Sequence, residues 1–330
     1  MAPMAITNIP VHDYGKYDYI YAVNSAKPDE PWSFLKDMQY VDAQWPLPNY
    51  FKVKKMGEEE ALTKLDSLYK SSNKKAVMFF IHGWNSGVYY NFCTLKKLNE
   101  SSDYLVIPIM WNNDNGSTTS LDYRNDRVFT SPRAATTLVK LESFFSRVEQ
   151  KKAWLCHSMG CYVTQFFASE LDSNEPATAA NIFDIVFMVA PDLRYDIFNE
   201  YPYNSGKGKN ECSEGDWNDP DVPERIPDCR LGGGKALVKL AKGGVDGTNK
   251  LLVFWNKDDY AGPIREARLS LLDSTWPLSP KTLLNNGNES DRPPLLYFED
   301  KTEFTRVYDV GTAHSYQMFD ELIEHYNNAL

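Results

Sequence analysis

The chain has 330 residues, of which 42% are hydrophobic and 24% are charged, and its formal net charge is −10. These values are ordinary for a globular protein, and a core of this size needs neither disulfides nor a metal to hold it together. The acidic balance argues against nucleic acid or an anionic membrane as a partner, because like charges repel.

The five cysteines match neither a disulfide framework nor a metal-binding spacing. Cys93, Cys156 and Cys161 stand in apolar segments, which is typical of small core residues. Cys212 and Cys229 share a loop-rich stretch and could form a pair. The N-terminus has no basic start and no apolar run, so we expect no signal peptide and a cytoplasmic location. The longest apolar runs are strand-sized, so no membrane span is expected.

The N-terminal part is rich in tyrosine and proline up to residue 56. Segments 19–23 and 51–54 favour strands within it. We expect the extension 1–70 to contribute antiparallel edge strands in front of a parallel sheet.

From residue 76 onward, apolar runs alternate with segments of helical periodicity. The runs predict buried strands at 76–81, 104–111, 153–156, 184–190, 250–255 and 305–310, and helices are predicted at 90–99, 132–149, 159–171 and 315–326. This alternation predicts an α/β protein with a mostly parallel central sheet and helices on both faces. Sheets of this kind bind their ligands at the carboxyl ends of the strands.

An insertion at about 195–249 separates the fourth and fifth of these strands. Residues 199–234 contain four prolines with many acidic and glycine residues, and 235–242 favours a short helix. A long, turn-rich insertion on this face is either a lid or cap over the site or a surface loop, and the sequence leaves both interpretations open.

A serine joins the third buried strand to the following helix, in the segment Cys156-His157-Ser158-Met159-Gly160. A nucleophilic serine must be held on a sharp turn, with small residues two positions before it and two after it. Cys156 and Gly160 occupy these positions, whereas the usual pattern has glycine at both. The alternative interpretation is a serine that caps the helix.

The first buried strand continues into His82-Gly83-Trp84-Asn85. In acyl transfer, the loop after this strand supplies one backbone N–H to the oxyanion, and the residue after the nucleophile supplies the second. We therefore expect the oxyanion hole at Trp84 and Met159. The alternative interpretation of the loop is a glycine-rich turn, and His82 itself is interpreted as a structural residue.

The general base is expected at His314, which follows the last predicted strand. A serine hydroxyl needs a neutral imidazole within hydrogen-bond reach, and the imidazole needs an orienting carboxylate. Asp258 and Asp259 follow the penultimate strand, and Asp192 follows the strand before it. Asp259 is the preferred acid, Asp258 the second choice and Asp192 the third.

The segments His82-Gly83-Trp84-Asn85, His157-Ser158-Met159-Gly160 and Ala313-His314-Ser315 together resemble the α/β-hydrolase superfamily over about residues 70–330. They are most similar to a poorly characterised His-Ser-Met-Gly branch of esterase/lipase-like proteins. Cys156 and Ala313 replace glycines of that pattern, and the insertion is additional to it.

The resemblance implies one α/β-hydrolase domain with a catalytic triad in the chain order Ser158, Asp259, His314. It favours Asp259 because the spacing from this residue to Pro263 is common at this position in such enzymes. The implied reaction is hydrolysis of a carboxylic ester through an acyl-enzyme, without a metal or organic cofactor. The implied substrate is a small-molecule or lipid-like ester.

Other functions stay open at this point. An acyltransferase or thioesterase would use the same triad, and a non-catalytic α/β-hydrolase-fold protein would bind a ligand or partner instead. A metal-dependent hydrolase built from His82 and His157 is disfavoured, since no histidine pair in the sequence has ligand spacing.

Overall fold

The structure is a computed structural model that describes residues 4–8, 11–13, 18–21, 38–47, 50–84, 86, 88–111, 113, 123, 126–174, 181–193, 197, 233–242, 250–256, 258–261, 302–306 and 313–330. Cys212, Cys229 and nearly all of the segment 199–234 lie outside these ranges, so neither the pairing of the two cysteines nor the choice between a lid and a surface loop is tested. No helix within the described ranges is long and apolar enough to cross a membrane.

Strands and helices alternate after residue 76. The strands are β1 (Met4–Thr7), β2 (Val11–Asp13), β3 (Asp18–Tyr21), β4 (Gln39–Leu47), β5 (Tyr50–Met56), β6 (Ala76–Ile81), β7 (Tyr104–Met110), β8 (Lys152–His157), β9 (Ile185–Val189), β10 (Leu251–Trp255) and β11 (Thr302–Arg306). The helices are α1 (Glu58–Ser71), α2 (Val88–Ser101), α3 (Ser131–Val139), α4 (Glu142–Arg147), α5 (Met159–Asn174), α6 (Gly233–Leu240) and α7 (Asp320–Asn328), with a π-helical turn at Asp126–Thr130 before α3.

The described strands form one sheet in the order β11-β10-β9-β8-β6-β7-β1-β4-β5-β3-β2. The pairs from β11 to β1 are all parallel, and the pairs from β1 to β2 are all antiparallel. This mostly parallel sheet with crossover helices confirms the predicted α/β class. The short strand β1 lies between the two halves, parallel to β7 and antiparallel to β4.

Both faces of the central strands are buried, which explains why these strands read as continuous apolar runs. In β6, Val77, Phe79 and Ile81 belong to one core cluster, whereas Met78 and Phe80 belong to the other. Helices α1, α3, α4, α5 and α6 contribute buried residues to the first cluster, and α2 and α7 contribute to the second. The helices therefore cover both faces, as predicted.

Three predicted boundaries were wrong. The helix expected at 132–149 is divided into α3 and α4, because Leu141 has φ −92° and ψ 4° and its N–H bonds to the carbonyl of Leu138 instead of continuing the helix. The last described strand begins at residue 302, and its sequence, Thr-Glu-Phe-Thr-Arg, contains no apolar run that would mark it. The terminal helix begins at Asp320, where two acidic residues suit the positive end of the helix dipole.

Candidate active site

The sheet has a switch point beside β6, because the chain leaves β6 toward β7 on one side and leaves β8 toward β9 on the other. In open parallel sheets, ligands bind outside the carboxyl ends of the strands at such a point. The loop that begins with His82 follows β6, and Ser158 follows β8. The topology therefore directs attention to these two strand ends.

Ser158 stands on the turn between β8 and α5 with φ 53°, in the left-handed region. Side-chain-bearing residues rarely adopt this conformation, which costs on the order of 1 kcal/mol or more. Three backbone hydrogen bonds hold the turn. The N–H of Ser158 donates to the carbonyl of Val189 at 3.0 Å, and the carbonyl of Ser158 accepts the N–H groups of Cys161 at 3.0 Å and Asp192 at 3.1 Å. A strained serine between a strand and a helix is the geometry that exposes a nucleophile.

Two glycines let the turn pack closely against the end of β6. A Cβ atom added at Gly160 would lie 2.5 Å from the carbonyl oxygen of His82, and one added at Gly83 would lie 2.7 Å from Cβ of Ser158. Real Cβ atoms do not approach other atoms so closely, so both positions require glycine. Cys156, which replaces the other usual glycine, is fully buried within β8 and is tolerated there.

The structure brings Ser158, His314 and Asp259 together. Nε2 of His314 lies 2.9 Å from the Ser158 hydroxyl, and Nδ1 lies 2.8 Å and 3.1 Å from the two carboxylate oxygens of Asp259. Nδ1–H thus donates to the carboxylate, and Nε2 is left to accept from the serine hydroxyl. The side chain of His314 is 13% exposed and that of Asp259 is 0% exposed.

Of the three candidate carboxylates, the one hydrogen-bonded to His314 is that of Asp259. This carboxylate also accepts the N–H of Ala261 at 2.9 Å. The side chain of Asp258 is exposed. The backbone N–H of Asp258 donates to Oδ1 of Asn256 at 3.1 Å. The turn therefore directs one of two adjacent carboxylates inward.

Asp192, the third candidate, is buried and engaged elsewhere. Its carboxylate accepts a hydrogen bond from the hydroxyl of Tyr123, and Nε of Arg127 lies 4.0 Å from the same oxygen. The guanidinium of Arg127 also lies over the ring of Tyr162, 4.0 Å from its centre. Asp192 thus belongs to a buried cluster behind the turn that carries Ser158.

His157 and Asn256 fix the loop that carries His314, and neither role was predicted from the sequence. Nε2–H of His157 donates to the carbonyl of His314 at 3.1 Å, and Nδ2 of Asn256 donates to the carbonyl of Ala313 at 3.2 Å. Burial, with a smaller contribution from the neighbouring His314, lowers the pKa of His157 to about 3. His157 therefore stays neutral near pH 7.

In the part of the chain that the structure describes, the ring of His82 also makes hydrogen bonds with backbone groups only. Its Nδ1 donates to the carbonyl of Gly83 at 2.9 Å, and its Nε2 accepts the backbone N–H of Trp111 at 3.1 Å. Burial lowers the pKa of His82 to about 4. Backbone groups occupy both ring nitrogens, so neither offers a lone pair to a metal ion.

The two residues expected to form the oxyanion hole flank Ser158. Met159 is the first residue of α5, so its N–H has no acceptor within its own helix. Trp84 follows Gly83, which lies against the Ser158 side chain. The indole N–H of Trp84 donates to Asp126 at 2.8 Å, and its ring packs edge-on against Tyr123. Both backbone N–H groups thus belong to segments that meet at the serine, beside the positive end of a helix.

Comparisons with known proteins concern the same part of the chain. Residues 57–213 match a family described as alpha/beta hydrolase of unknown function (DUF900). No protein among those with curated descriptions matches the sequence.

Similar solved structures include an esterase from Pyrobaculum calidifontis, with 10% identity, 97% of this chain and 84% of that chain covered and a TM-score of 0.40. A putative esterase from Staphylococcus aureus has 12% identity, coverage of 87% and 82% and a TM-score of 0.39. The RedJ thioesterase of Streptomyces coelicolor has 16% identity, coverage of 77% and 90% and a TM-score of 0.38.

The fold assignment rests on the family match and on the strand order. The match covers β6, β7, β8 and β9, and includes the loop at His82 and the turn at Ser158. The prediction made from the sequence is confirmed: the chain has the fold of the α/β hydrolases.

Proposed function

We propose that the chain is a serine hydrolase that cleaves a carboxylic ester through an acyl-enzyme on Ser158. The observation that carries this proposal is the continuous hydrogen-bonded path from Ser158 through His314 to Asp259. The path ends at a serine held at φ 53° on a strand-to-helix turn. A serine that merely capped the helix would need neither the strained backbone nor the imidazole.

In the first step, the hydroxyl oxygen of Ser158 attacks the ester carbonyl carbon while Nε2 of His314 takes the hydroxyl proton. The carbonyl π electrons move to oxygen, which becomes an oxyanion that accepts the backbone N–H groups of Trp84 and Met159. When the tetrahedral adduct collapses, the C–O bond to the alcohol breaks, and Nε2–H of His314 protonates the departing alkoxide. An acyl-serine and a free alcohol result.

In the second step, water attacks the acyl-serine while Nε2 of His314 takes a proton from it. The second adduct collapses to a carboxylic acid, and the proton returns to the oxygen of Ser158. In both steps the imidazole is transiently positive. The fully buried carboxylate of Asp259, 2.8 Å from Nδ1, stabilises this charge and holds the proton on Nδ1, so that Nε2 faces the serine.

The test is reaction with a fluorophosphonate probe, which phosphonylates activated serines. We expect the wild-type protein to be labelled at Ser158, and the Ser158→Ala and His314→Ala variants to be unlabelled and inactive on short p-nitrophenyl esters while remaining folded. Ser71, an exposed serine at the end of α1, supplies the control, and Ser71→Ala is expected to keep both labelling and activity. An unlabelled wild-type protein, or full activity in either triad variant, would contradict the proposal.

A further inference from the structure

The carbonyl oxygen of Gly83 accepts two side-chain hydrogen bonds. One comes from Nδ1 of His82 at 2.9 Å, and the other comes from Nδ2 of Asn113 at 2.6 Å. Asn113 is only 3% exposed and stands just beyond β7, the strand that pairs with β6. Two buried donors therefore converge on the peptide group that joins Gly83 to Trp84.

The neighbouring groups determine that Nδ1 of His82 and Nδ2 of Asn113 both donate to this carbonyl. The backbone N–H of Trp111 occupies Nε2 of His82, so the proton of the neutral ring must be on Nδ1. An Asn113 amide turned the other way would place two acceptor oxygens 2.6 Å apart, so nitrogen faces the carbonyl. The other amide atom, Oδ1 of Asn113, has no hydrogen-bond partner among the described residues. Within the described residues, the hydrogen bond to Gly83 is therefore the one that the Asn113 side chain makes.

A fixed carbonyl also fixes the N–H group of the same peptide unit. In a trans peptide, C=O of one residue and N–H of the next are coplanar and point in opposite directions. Holding the Gly83 oxygen from one side therefore sets the direction of the Trp84 N–H on the other. Hydrogen bonds to the carbonyl also polarise the peptide group and strengthen its N–H as a donor.

Gly83 lies directly against the nucleophile, since a Cβ atom added to it would be 2.7 Å from Cβ of Ser158. We propose that Asn113 and His82 are positioning residues that direct the Trp84 N–H at the oxyanion formed on Ser158. This inference rests on the proposed function and adds to it two residues that do not touch the substrate. Trp111 supports them, because its indole N–H donates to the carbonyl of His82 at 2.8 Å.

The test compares an ester with the matching thionoester, whose C=S sulfur is a poor hydrogen-bond acceptor and gains little from an oxyanion hole. For Asn113→Leu, which removes the donor at similar volume, we expect kcat/KM on the ester to fall roughly 10- to 100-fold. The value on the thionoester should change far less, so the ester-to-thionoester ratio falls. His82→Phe should lower the ratio in the same direction, and Asn113→Ala replaces Asn113→Leu if the leucine variant does not fold.

The matched control is Asn99→Leu, because Oδ1 of Asn99 accepts the N–H of Val106 at 2.7 Å near the other end of β7. This variant should keep the wild-type ratio. The inference would be overturned if folded Asn113 variants kept the wild-type ester-to-thionoester ratio, even if kcat/KM fell equally on both substrates. In that case the wild-type enzyme would still hydrolyse the ester, and the proposed function would stand. A wild-type protein without Ser158-dependent hydrolysis would instead contradict the proposed function, so the two failures are distinguishable.

Discussion

The two sides of the candidate site are held by different kinds of contact. On the nucleophile side, the turn after β8 packs on the loop after β6, and Gly83 and Gly160 leave no room for a Cβ atom. On the base side, the loop of His314 is held by single side-chain hydrogen bonds from His157 and Asn256. Substitutions on the first side should therefore move the backbone itself, whereas those on the second should remove side-chain hydrogen bonds and leave the backbone packing in place.

Among the residues that support Ser158 and His314, the largest expected effect on activity comes from the carboxylate of Asp259. Asp259→Asn should lower kcat about 10⁴-fold, because an amide cannot stabilise the imidazolium and favours the wrong histidine tautomer. The adjacent Asp258→Asn is the control and should change kcat less than about twofold, since its side chain is exposed. Steady-state kinetics on a p-nitrophenyl ester check both, and a larger loss in Asp258→Asn would reverse the assignment of the acid.

Gly160→Ala tests the close packing on the nucleophile side. The new methyl group would lie 2.5 Å from the carbonyl oxygen of His82 and 2.7 Å from that of Ile81, so we expect a loss of roughly 1–3 kcal/mol in unfolding free energy. Activity should also fall, because the loop carrying Trp84 must move. Gly57→Ala is the control, as a Cβ atom there meets nothing within 4 Å. Urea denaturation measures both, and equal stabilities would show that the packing is looser than described.

The two buried histidines predict how stability depends on pH. Burial is the main cause that lowers the pKa of both histidines below the ordinary value of 6.5, to about 4 for His82 and to about 3 for His157. Below about pH 6.5 these two histidines therefore bind more protons in the unfolded chain than in the folded one. Stability should fall as the pH is lowered toward 4, with each histidine contributing up to about 1.4 kcal/mol per pH unit.

Urea midpoints at several pH values between 7 and 4.5 check this expectation. His157→Gln should remove one of the two contributions and flatten the curve. An equally steep curve in that variant would assign the acid sensitivity to other groups.

The smallest expected effect concerns Asn256. Asn256→Ala removes two hydrogen bonds, one to the carbonyl of Ala313 and one from the N–H of Asp258, and each is worth about 0.5–1.5 kcal/mol. The loop of His314 keeps its bond from His157, so kcat should fall less than about tenfold. Kinetics with a parallel thermal melt measure both quantities. If kcat fell as much as in Asp259→Asn, the loop of His314 would depend on this one side chain as strongly as the nucleophile side depends on its backbone packing.

The sequence predicted the parts of the fold that are buried on both faces. Strand 76–81 was placed correctly to the residue, because an apolar run with charged neighbours marks such a strand clearly. The strand at 4–7 was missed because four residues are too few to show a period, and the strand at 39–47 because polar residues interrupt it. The helix at 58–71 was missed although Ala61, Leu65 and Leu68 recur at helical spacing. The strand at 302–306 was misplaced by a few residues because its sequence contains no apolar run.

The sequence also indicated where the candidate site lies but not how it is supported. Ser158 and His314 follow strands, and position in the chain is enough to single them out. Asp258 and Asp259 are adjacent, and the preference for Asp259 came from the resemblance, because residue types alone do not show which carboxylate the turn directs inward. The supporting residues Asn113 and Asn256 act on backbone carbonyls 30 and 57 residues away, and a contact of that kind leaves no periodic signal in a sequence.

The four residues of β1 have a consequence for how the sheet assembles when the protein folds. Within the described sheet, this strand alone joins the parallel half to the antiparallel half through backbone hydrogen bonds. Its partner on one side, β7, ends more than a hundred residues later in the chain, so this pairing joins distant segments and is expected to form slowly during folding. A protease or a tag that disturbs Met4–Thr7 would leave two sheets where there was one, with unpaired edges facing each other.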